Sequence, residues 1–250
     1  MNAITASSWP YPRWIAHRGA GKLAPENTLA AFRLGAQHGY RMFECDAKLS
    51  ADGVPFLLHD ATLERTTNGR GTGGDLPLGA LAQLDAGSWH SRAYAGEAVP
   101  TLEALARFCI ANGYFLNIEI KPTPGQEETT GRVVGETAAR LWQGQAVPPL
   151  FSSFKPDALA GAQATAAHIP RALLLDTLWD GCLDTARRLG CVAIVCNHAL
   201  WDAALVAQVK GMGMRTLSYT VNDDWAAQRL IALGTDGIIT DRVDLFSPAT

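Results

Sequence analysis

Acidic residues, histidines and basic residues recur at the ends of short apolar runs in the first half of the chain, and together they could carry out metal-assisted chemistry. They occur in four groups: His17-Arg18, Glu44-Cys45-Asp46, His59-Asp60 and Glu119-Ile120-Lys121. Side chains of a β-strand alternate between its faces, so Glu44 and Asp46 point the same way, as do Glu119 and Lys121. We therefore predict one site that combines three carboxylates, two imidazoles and two cations.

The three carboxylates of Glu44, Asp46 and Glu119 predict a bound divalent cation. A site rich in hard oxygen donors suits Mg²⁺ or Ca²⁺ better than zinc. Without a cation, three converging acids would repel one another, and some of them would take up protons. The alternative is a buried ion network in which Lys121 neutralises the acids and no metal binds.

Two of the six histidines are candidates for acid–base chemistry. His17 and His59 each end a predicted strand at the same rim, where one imidazole can accept a proton and the other can deliver one. Arg18 offers a planar fork that fits a phosphate or carboxylate group, the alternative being a surface salt bridge. The other four histidines are interpreted as structural: His38, His90, His168 and His198.

Eight short strand-like runs alternate with amphipathic helical stretches along the chain. The helical patterns include Thr130–Trp142 and Leu178–Leu189, and the pairs Asn27-Thr28 and Asn222-Asp223 are typical of helix starts. This alternation over 250 residues predicts an α/β fold of the (β/α)₈ TIM-barrel type. The alternative is a doubly wound open sheet, but no GxGxxG motif follows the first strand.

The alternation stops between Leu49 and Pro100. The turn signal Ala51-Asp52-Gly53 predicts that Val54–Leu58 folds back as a hairpin partner of the second strand. Long insertions in barrels usually serve the active-site face. We therefore predict a single domain over residues 1–250, with an insertion after strand 2 at about residues 49–100.

The composition favours a cytoplasmic protein without a nucleic-acid partner. The net charge is −3 and the basic residues are scattered, which argues against a nucleic-acid partner. No run approaches the roughly 18 apolar residues of a membrane span, and the first twelve residues lack the pattern of a signal peptide. The chain has 5 cysteines, an odd number without framework spacing, which is typical of free thiols in a reducing compartment.

A series of motifs along nearly the whole chain resembles the glycerophosphodiester phosphodiesterase family, in particular its bacterial cytoplasmic type. In order, the motifs are HRG, PENT, ECD, DG, LLHD, LERTTNG, VPTLEAL, NIEIKP, SSF, YTVN and GIITD. The combination of HR, ExD, H and EIKP is far more specific than any one of these motifs alone.

The resemblance implies a barrel enzyme with an inserted segment after the second strand, and a role for each residue of the site. Glu44, Asp46 and Glu119 would bind the metal, His17 and His59 would act as base and acid, and Arg18 and Lys121 would hold the phosphate. Asn27 and Thr28 would shape the loop and cap the helix.

The implied reaction is metal-dependent hydrolysis of a glycerophosphodiester, such as glycerophosphocholine or glycerophosphoethanolamine, to sn-glycerol 3-phosphate and an alcohol. The family is thought to use the glycerol 2-hydroxyl as nucleophile, which forms a cyclic phosphate. A barrel that only binds polyol phosphates is an alternative, but it would be expected to lose a histidine or a carboxylate. A metal-dependent lyase or isomerase would more often show a Schiff-base lysine.

Overall fold

Nine β-strands form one sheet in the computed structural model, which describes residues 9–248. Eight of the strands are parallel neighbours, and β1 pairs with both β2 and β9, so the sheet closes into a ring. The remaining strand, β3, runs antiparallel to β2. The strands are β1 (Trp14–Ala16), β2 (Met42–Leu49), β3 (Pro55–Leu57), β4 (Phe115–Ile120), β5 (Leu150–Ser153), β6 (Arg171–Leu175), β7 (Ala193–Asn197), β8 (Arg215–Tyr219) and β9 (Gly237–Thr240). The predicted (β/α)₈ barrel is confirmed.

Residues 1–8 and 249–250 lie outside the described residues. Most of the first twelve residues, which lack the pattern of a signal peptide, are therefore not described. Within residues 9–248, no helix is both long enough and apolar enough to cross a bilayer.

Helices cover the outside of the ring. They are α1 (Leu29–Gln37), α3 (Leu102–Asn112), α4 (Glu127–Leu141), α5 (Pro156–Thr165), α6 (Cys182–Arg188), α7 (Ala203–Gly211) and α8 (Asp224–Ala232), whereas the short α2 (Leu78–Leu81) lies in the segment between β3 and α3. Thr28 caps α1 as predicted, because its side chain accepts a hydrogen bond from the backbone N–H of Ala31.

The predicted starts of two helices were wrong by a few residues. Helix α4 begins at Glu127 rather than Thr130, and its first turn carries two acidic side chains, which the positive end of the helix dipole stabilises. Helix α6 begins at Cys182 rather than Leu178. Gly181 has a φ of 81°, a left-handed conformation that a continuous right-handed helix cannot contain.

Strand β2 illustrates how the barrel separates its two faces. Cys45 and Ala47 point outward and pack in the core shared with the helices, as predicted for Cys45. Met42 points inward and joins the apolar cluster at the amino-terminal end of the barrel. Glu44 and Asp46 follow on the same inward face, so the interior becomes polar towards the carboxyl ends of the strands.

The predicted insertion lies between β2 and α3. It contains β3, α2 and two short 3₁₀ helices, and it has a small core of its own formed by Phe56, Leu58, Leu63, Leu81, Ala86 and Val99. The backbone N–H of Leu58 donates to the carbonyl of Asp46 at 3.1 Å. The insertion therefore returns to β2 at the level of Asp46, and this return places His59 beside the polar interior.

Candidate active site

The three predicted metal ligands meet inside the carboxyl end of the barrel. Parallel pairing of β2 with β4 sets Asp46 opposite Glu119, with Glu44 one layer deeper. Oxygen atoms of these three carboxylates lie within 4.8 Å of one another. Among the described residues, the buried atoms Glu44 Oε1 and Asp46 Oδ1 have no hydrogen-bond partner. Hard oxygen donors, two of which accept no hydrogen bond, fit a divalent cation.

Burial and mutual repulsion leave these carboxylates with very different proton affinities. Burial and the neighbouring Asp46 raise the pKa of Glu44, and the same two causes raise that of Glu119. Burial alone would also raise the pKa of Asp46, but Arg18 and Lys121 outweigh it and lower that pKa. A bound cation would favour the charged form of all three acids.

The two predicted phosphate-binding cations contact this cluster. Arg18 Nε lies 3.2 Å from Asp46 Oδ2, and Arg18 Nη1 donates to Glu26 at 2.9 Å. Lys121 Nζ donates to Glu119 Oε1 at 3.0 Å and lies 3.5 Å from Asp46 Oδ1. Both cations therefore reach the mouth of the barrel next to the candidate metal ligands.

A strained loop after β1 connects the HRG motif to the carboxylates. Arg18 and Asn27 have φ angles of 51° and 59°, in the left-handed region that residues other than glycine rarely adopt. The backbone N–H of Arg18 donates to Glu44 Oε2 at 3.1 Å. Gly21 is required here, because a Cβ at this position would lie 2.1 Å from the carbonyl oxygen of Asp241.

Asn27 shapes the loop, as predicted, and it also holds a carboxylate of the site. Its Nδ2 donates to Asp46 Oδ2 at 2.8 Å, and its Oδ1 accepts from the backbone N–H of Asp46 at 3.1 Å. This reciprocal pair holds the Asp46 carboxylate in place on β2.

His17 is oriented by Asp241, the acid that directly follows the last strand. Its Nδ1 lies 2.7 Å from Asp241 Oδ1, and Asn222 holds the other carboxylate oxygen of Asp241 at 2.9 Å. This leaves Nε2 facing the cluster, 3.8 Å from Glu44 Oε2. Burial alone would lower the pKa of His17, but the hydrogen bond to Asp241 and the charge of Glu44 raise it.

Sequence reasoning quoted GIITD as a motif but assigned no role to Asp241. Its position could have predicted a role in the site, because a carboxylate at the end of the last parallel strand lies at the rim of the barrel where functional residues gather. Asn222 was interpreted as part of a helix start, and its side chain holds Asp241 instead.

His59 is held by a second acid and a chain of ion pairs. Its Nδ1 lies 2.7 Å from Asp60 Oδ1, and Arg65 Nε donates to Asp60 Oδ2 at 2.7 Å. Arg65 also binds both oxygens of Glu26, which in turn accepts from Arg18. Burial lowers the pKa of His59. The negative charge of Asp46 would raise this pKa, but the positive charges of Arg18 and Lys121 lower it.

Two further buried polar residues point into the site from β2 and β4. Lys48 lies two positions after Asp46, and its ammonium donates to the carbonyl of Lys121 at 3.1 Å. Burial lowers its pKa to about 8. Asn117 is opposite Glu44, and neither of its amide atoms has a hydrogen-bond partner among the described residues. The alternation of side chains along each strand could have predicted that both residues face the site.

All seven residues singled out in the sequence lie around the carboxyl end of the barrel. Three of them, His59, Glu119 and Lys121, line one cleft together with Lys48 and Phe154. His17 and Glu44 line a second, deeper space with Tyr219. Carboxylates, paired cations and two oriented imidazoles in one mouth can stabilise a phosphoryl group and transfer protons on both sides of it.

Known proteins resemble this chain over almost its full length. A sequence profile of the Glycerophosphoryl diester phosphodiesterase family matches residues 17–245. A glycerophosphodiester phosphodiesterase of Caldanaerobacter subterraneus is 33% identical over 233 residues, which cover 91% of this chain and 93% of that protein.

Solved structures agree with the sequence comparison. An Oleispira antarctica phosphodiesterase in complex with the product sn-glycerol-3-phosphate has a TM-score of 0.90 and 35% identity, covering 98% of this chain and 99% of that one. A glycerophosphodiester phosphodiesterase of Agrobacterium tumefaciens has a TM-score of 0.76 and 29% identity, with coverages of 96% and 100%. The chain therefore belongs to the glycerophosphoryl diester phosphodiesterase family of enzymes.

Proposed function

We propose that this protein hydrolyses glycerophosphodiesters, including glycerophosphocholine and glycerophosphoethanolamine, to sn-glycerol 3-phosphate and an alcohol. The observation that carries the proposal is the buried trio of carboxylates flanked by two cations and two oriented histidines. The product bound to the Oleispira antarctica relative supports the same choice of substrate.

Glu44, Asp46 and Glu119 would hold one divalent cation, Mg²⁺ or Ca²⁺. When bound, this ion polarises the phosphoryl group and lowers the pKa of a nearby hydroxyl group. Arg18 and Lys121 bind the phosphate oxygens and stabilise the negative charge that develops on them. Their contacts with Asp46 keep both side chains extended towards the mouth before substrate arrives.

We assign the general base to His17 and the general acid to His59. His17 Nε2 faces the carboxylates, and a hydroxyl group activated there would lie within its reach. His59 lies on the other side, at the cleft where the alcohol would leave. In the absence of a cation, the raised pKa of His17 and the lowered pKa of His59 favour the opposite assignment, with His17 as acid and His59 as base. A bound cation would offset the charge of Glu44 and remove part of that difference.

The attacking group that we propose is the 2-hydroxyl of the substrate's own glycerol, which would form a cyclic phosphate for water to open. Such an internal nucleophile gains from proximity. The five cysteines are all buried and free, and Cys45, which adjoins the cluster in sequence, packs among the helices. Buried free thiols also support the cytoplasmic location that we propose.

The proposed function is tested by product analysis. Purified enzyme with Mg²⁺ should convert glycerophosphocholine to choline and sn-glycerol 3-phosphate, detected by a dehydrogenase specific for that enantiomer. A release of phosphocholine and glycerol would mean that the opposite P–O bond is cleaved, and it would overturn the assignment.

Replacing Asp241 by asparagine tests the role of His17. Asparagine has no charge and only one acceptor oxygen, so it cannot serve His17 and Asn222 together, and the effect of Asp241 that raises the pKa of His17 is weakened. A base must be deprotonated, so the fall of kcat/KM on the acidic side should move to lower pH, while kcat drops because the ring is no longer oriented. If the alkaline side of the profile moves instead, His17 is the acid. Asp244→Asn, which changes an exposed acid paired with Arg242, should keep the original profile.

The variants His59→Ala and His17→Ala distinguish the roles of the two histidines when their rates are compared on substrates with different leaving groups. His59→Ala should be severely slow on glycerophosphocholine, because the alcohol leaves without a proton. It should recover much of its rate on a glycerophosphodiester of an acidic phenol, which needs little protonation. His17→Ala should recover far less, and rescue of His17→Ala alone would reverse the two roles.

A further inference from the structure

A cleft of about 330 Å³ opens beside Glu119, one residue of the carboxylate trio, and His59 also lines it. Pro122, Pro124 and Phe154 give it apolar walls, and His59 and Glu119 lie along it. If His59 protonates the leaving alcohol, as in the proposed function, the carbon atoms of that alcohol must lie in this cleft. The charge of the cleft then bears on which alcohols the enzyme accepts.

The cleft carries more positive charge than its acids neutralise. Lys48, Lys121 and Lys155 all line it. Its two carboxylates already have partners, because Asp60 is held by His59 and Arg65, and Glu119 is held by Lys121.

Among the described residues, no carboxylate lies within ion-pair distance of Lys48, although the charges of Asp46, Glu119 and Asp60 act on it from farther away. Lys48 is only 2% exposed, and its ammonium donates to the carbonyl oxygen of Lys121. Within residues 9–248, the ion pairs include neither Lys48 nor Lys155. A buried cation without an ion-pair partner is costly for folding, and its field is poorly screened by salt. Lys155 is exposed, so its field is weakened by solvent.

We propose that this cleft selects the leaving alcohol by its charge, and that Lys48 is the specificity-determining residue. Glycerophosphodiesters of neutral or acidic alcohols are favoured over those of cationic alcohols such as choline. An aromatic wall could attract choline instead, but Lys121 Nζ already lies 5.9 Å from the centroid of the Phe154 ring. The inference rests on the proposed function, since it concerns the same reaction.

The test compares two substrates that differ in charge and have nearly the same shape. Glycerophosphocholine is paired with the glycerophosphodiester of 3,3-dimethylbutanol, in which carbon replaces the quaternary nitrogen. The two alcohols differ in intrinsic reactivity, so the readout is how each variant changes the ratio of their kcat/KM values. Lys48→Met should raise the ratio of choline to neutral substrate by about five- to tenfold, the size expected for two charges several ångströms apart in a partly screened site.

Matched variants show whether the effect belongs to the charge of Lys48. Lys48→Arg should keep the wild-type ratio, and Lys155→Met should change it by less than about twofold because that side chain is exposed. Lys210→Met is the control, because the Lys210 ammonium also donates to a backbone carbonyl, that of Gly234, on a different part of the fold. If Lys48→Met does not fold, Lys48→Gln provides the same comparison.

The possible outcomes keep the two proposals apart. A ratio that stays unchanged in a folded Lys48→Met enzyme, while both substrates are cleaved, overturns the charge selection and leaves the proposed function intact. A failure of wild-type enzyme to release sn-glycerol 3-phosphate from either substrate overturns the proposed function itself.

Discussion

Glu44→Gln is expected to reduce kcat/KM by at least about a thousandfold, roughly 4 kcal/mol of transition-state stabilisation. Glutamine keeps the shape of the side chain and removes the charge that a cation would need. Glu44 Oε1 is buried without a hydrogen-bond partner among the described residues, so the substitution breaks no hydrogen bond of that oxygen. Calorimetric titration with Mg²⁺ or Ca²⁺, in the absence of substrate, should show correspondingly weaker binding.

The melting temperature separates loss of the metal from loss of the fold. Without metal, Glu44→Gln should melt no lower than the wild-type protein, because the substitution removes repulsion between buried acids. Added cation should raise the melting temperature of the wild-type protein only. Glu136→Gln, on the exposed side of α4, is the control and should behave as wild type in every assay. Full activity of exhaustively chelated wild-type enzyme would contradict the metal site.

A glycerophosphodiester that lacks the 2-hydroxyl group is expected to bind but to turn over negligibly. Loss of one ordinary hydrogen bond would cost only about 0.5–1.5 kcal/mol, whereas loss of the nucleophile removes the reaction path. The 2-deoxy compound should therefore act as a competitive inhibitor of glycerophosphocholine hydrolysis. Cyclic 1,2-glycerophosphate, supplied directly, should be opened by the same enzyme.

Direct attack by water would give a different pattern. Turnover of the 2-deoxy compound within about tenfold of the parent, some 1.4 kcal/mol, would rule out the cyclic route. His17→Ala provides an internal check, because it should slow the opening of the cyclic phosphate as well as its formation. In the opening step, His17 would return its proton to the 2-oxygen while His59 would take a proton from the attacking water.

Strand alternation was enough to predict most of the site. Glu44, Asp46 and Glu119 share the inward faces of two paired strands, and the sequence alone predicts this because the side-chain period of a strand is two. The hairpin that returns His59 to β2 was also predictable, since a turn signal separates two apolar runs. These parts depend on local pattern.

The residues that support the site depend on contacts between distant segments, and no local pattern reports them. Glu26 joins Arg18 to Arg65 through two loops, and neither loop has a periodicity that places its side chains. Asn27 was assigned to the loop and the helix start, because an asparagine before a threonine is typical of that position. Its actual partner is Asp46, 19 positions away on the neighbouring strand β2.

The seam between β1 and β9 links the order of synthesis to the onset of catalysis. This pairing closes the ring, and the same seam joins His17 to Asp241, 224 positions apart. A chain leaving the ribosome has all seven proposed catalytic and binding residues by Lys121, yet Asp241, the partner that orients its base, is made only after β9. Since contacts of such separation form late, a nascent chain should stay inactive until β9 docks. The rate at which hydrolytic activity recovers during refolding would then measure the rate at which the barrel closes.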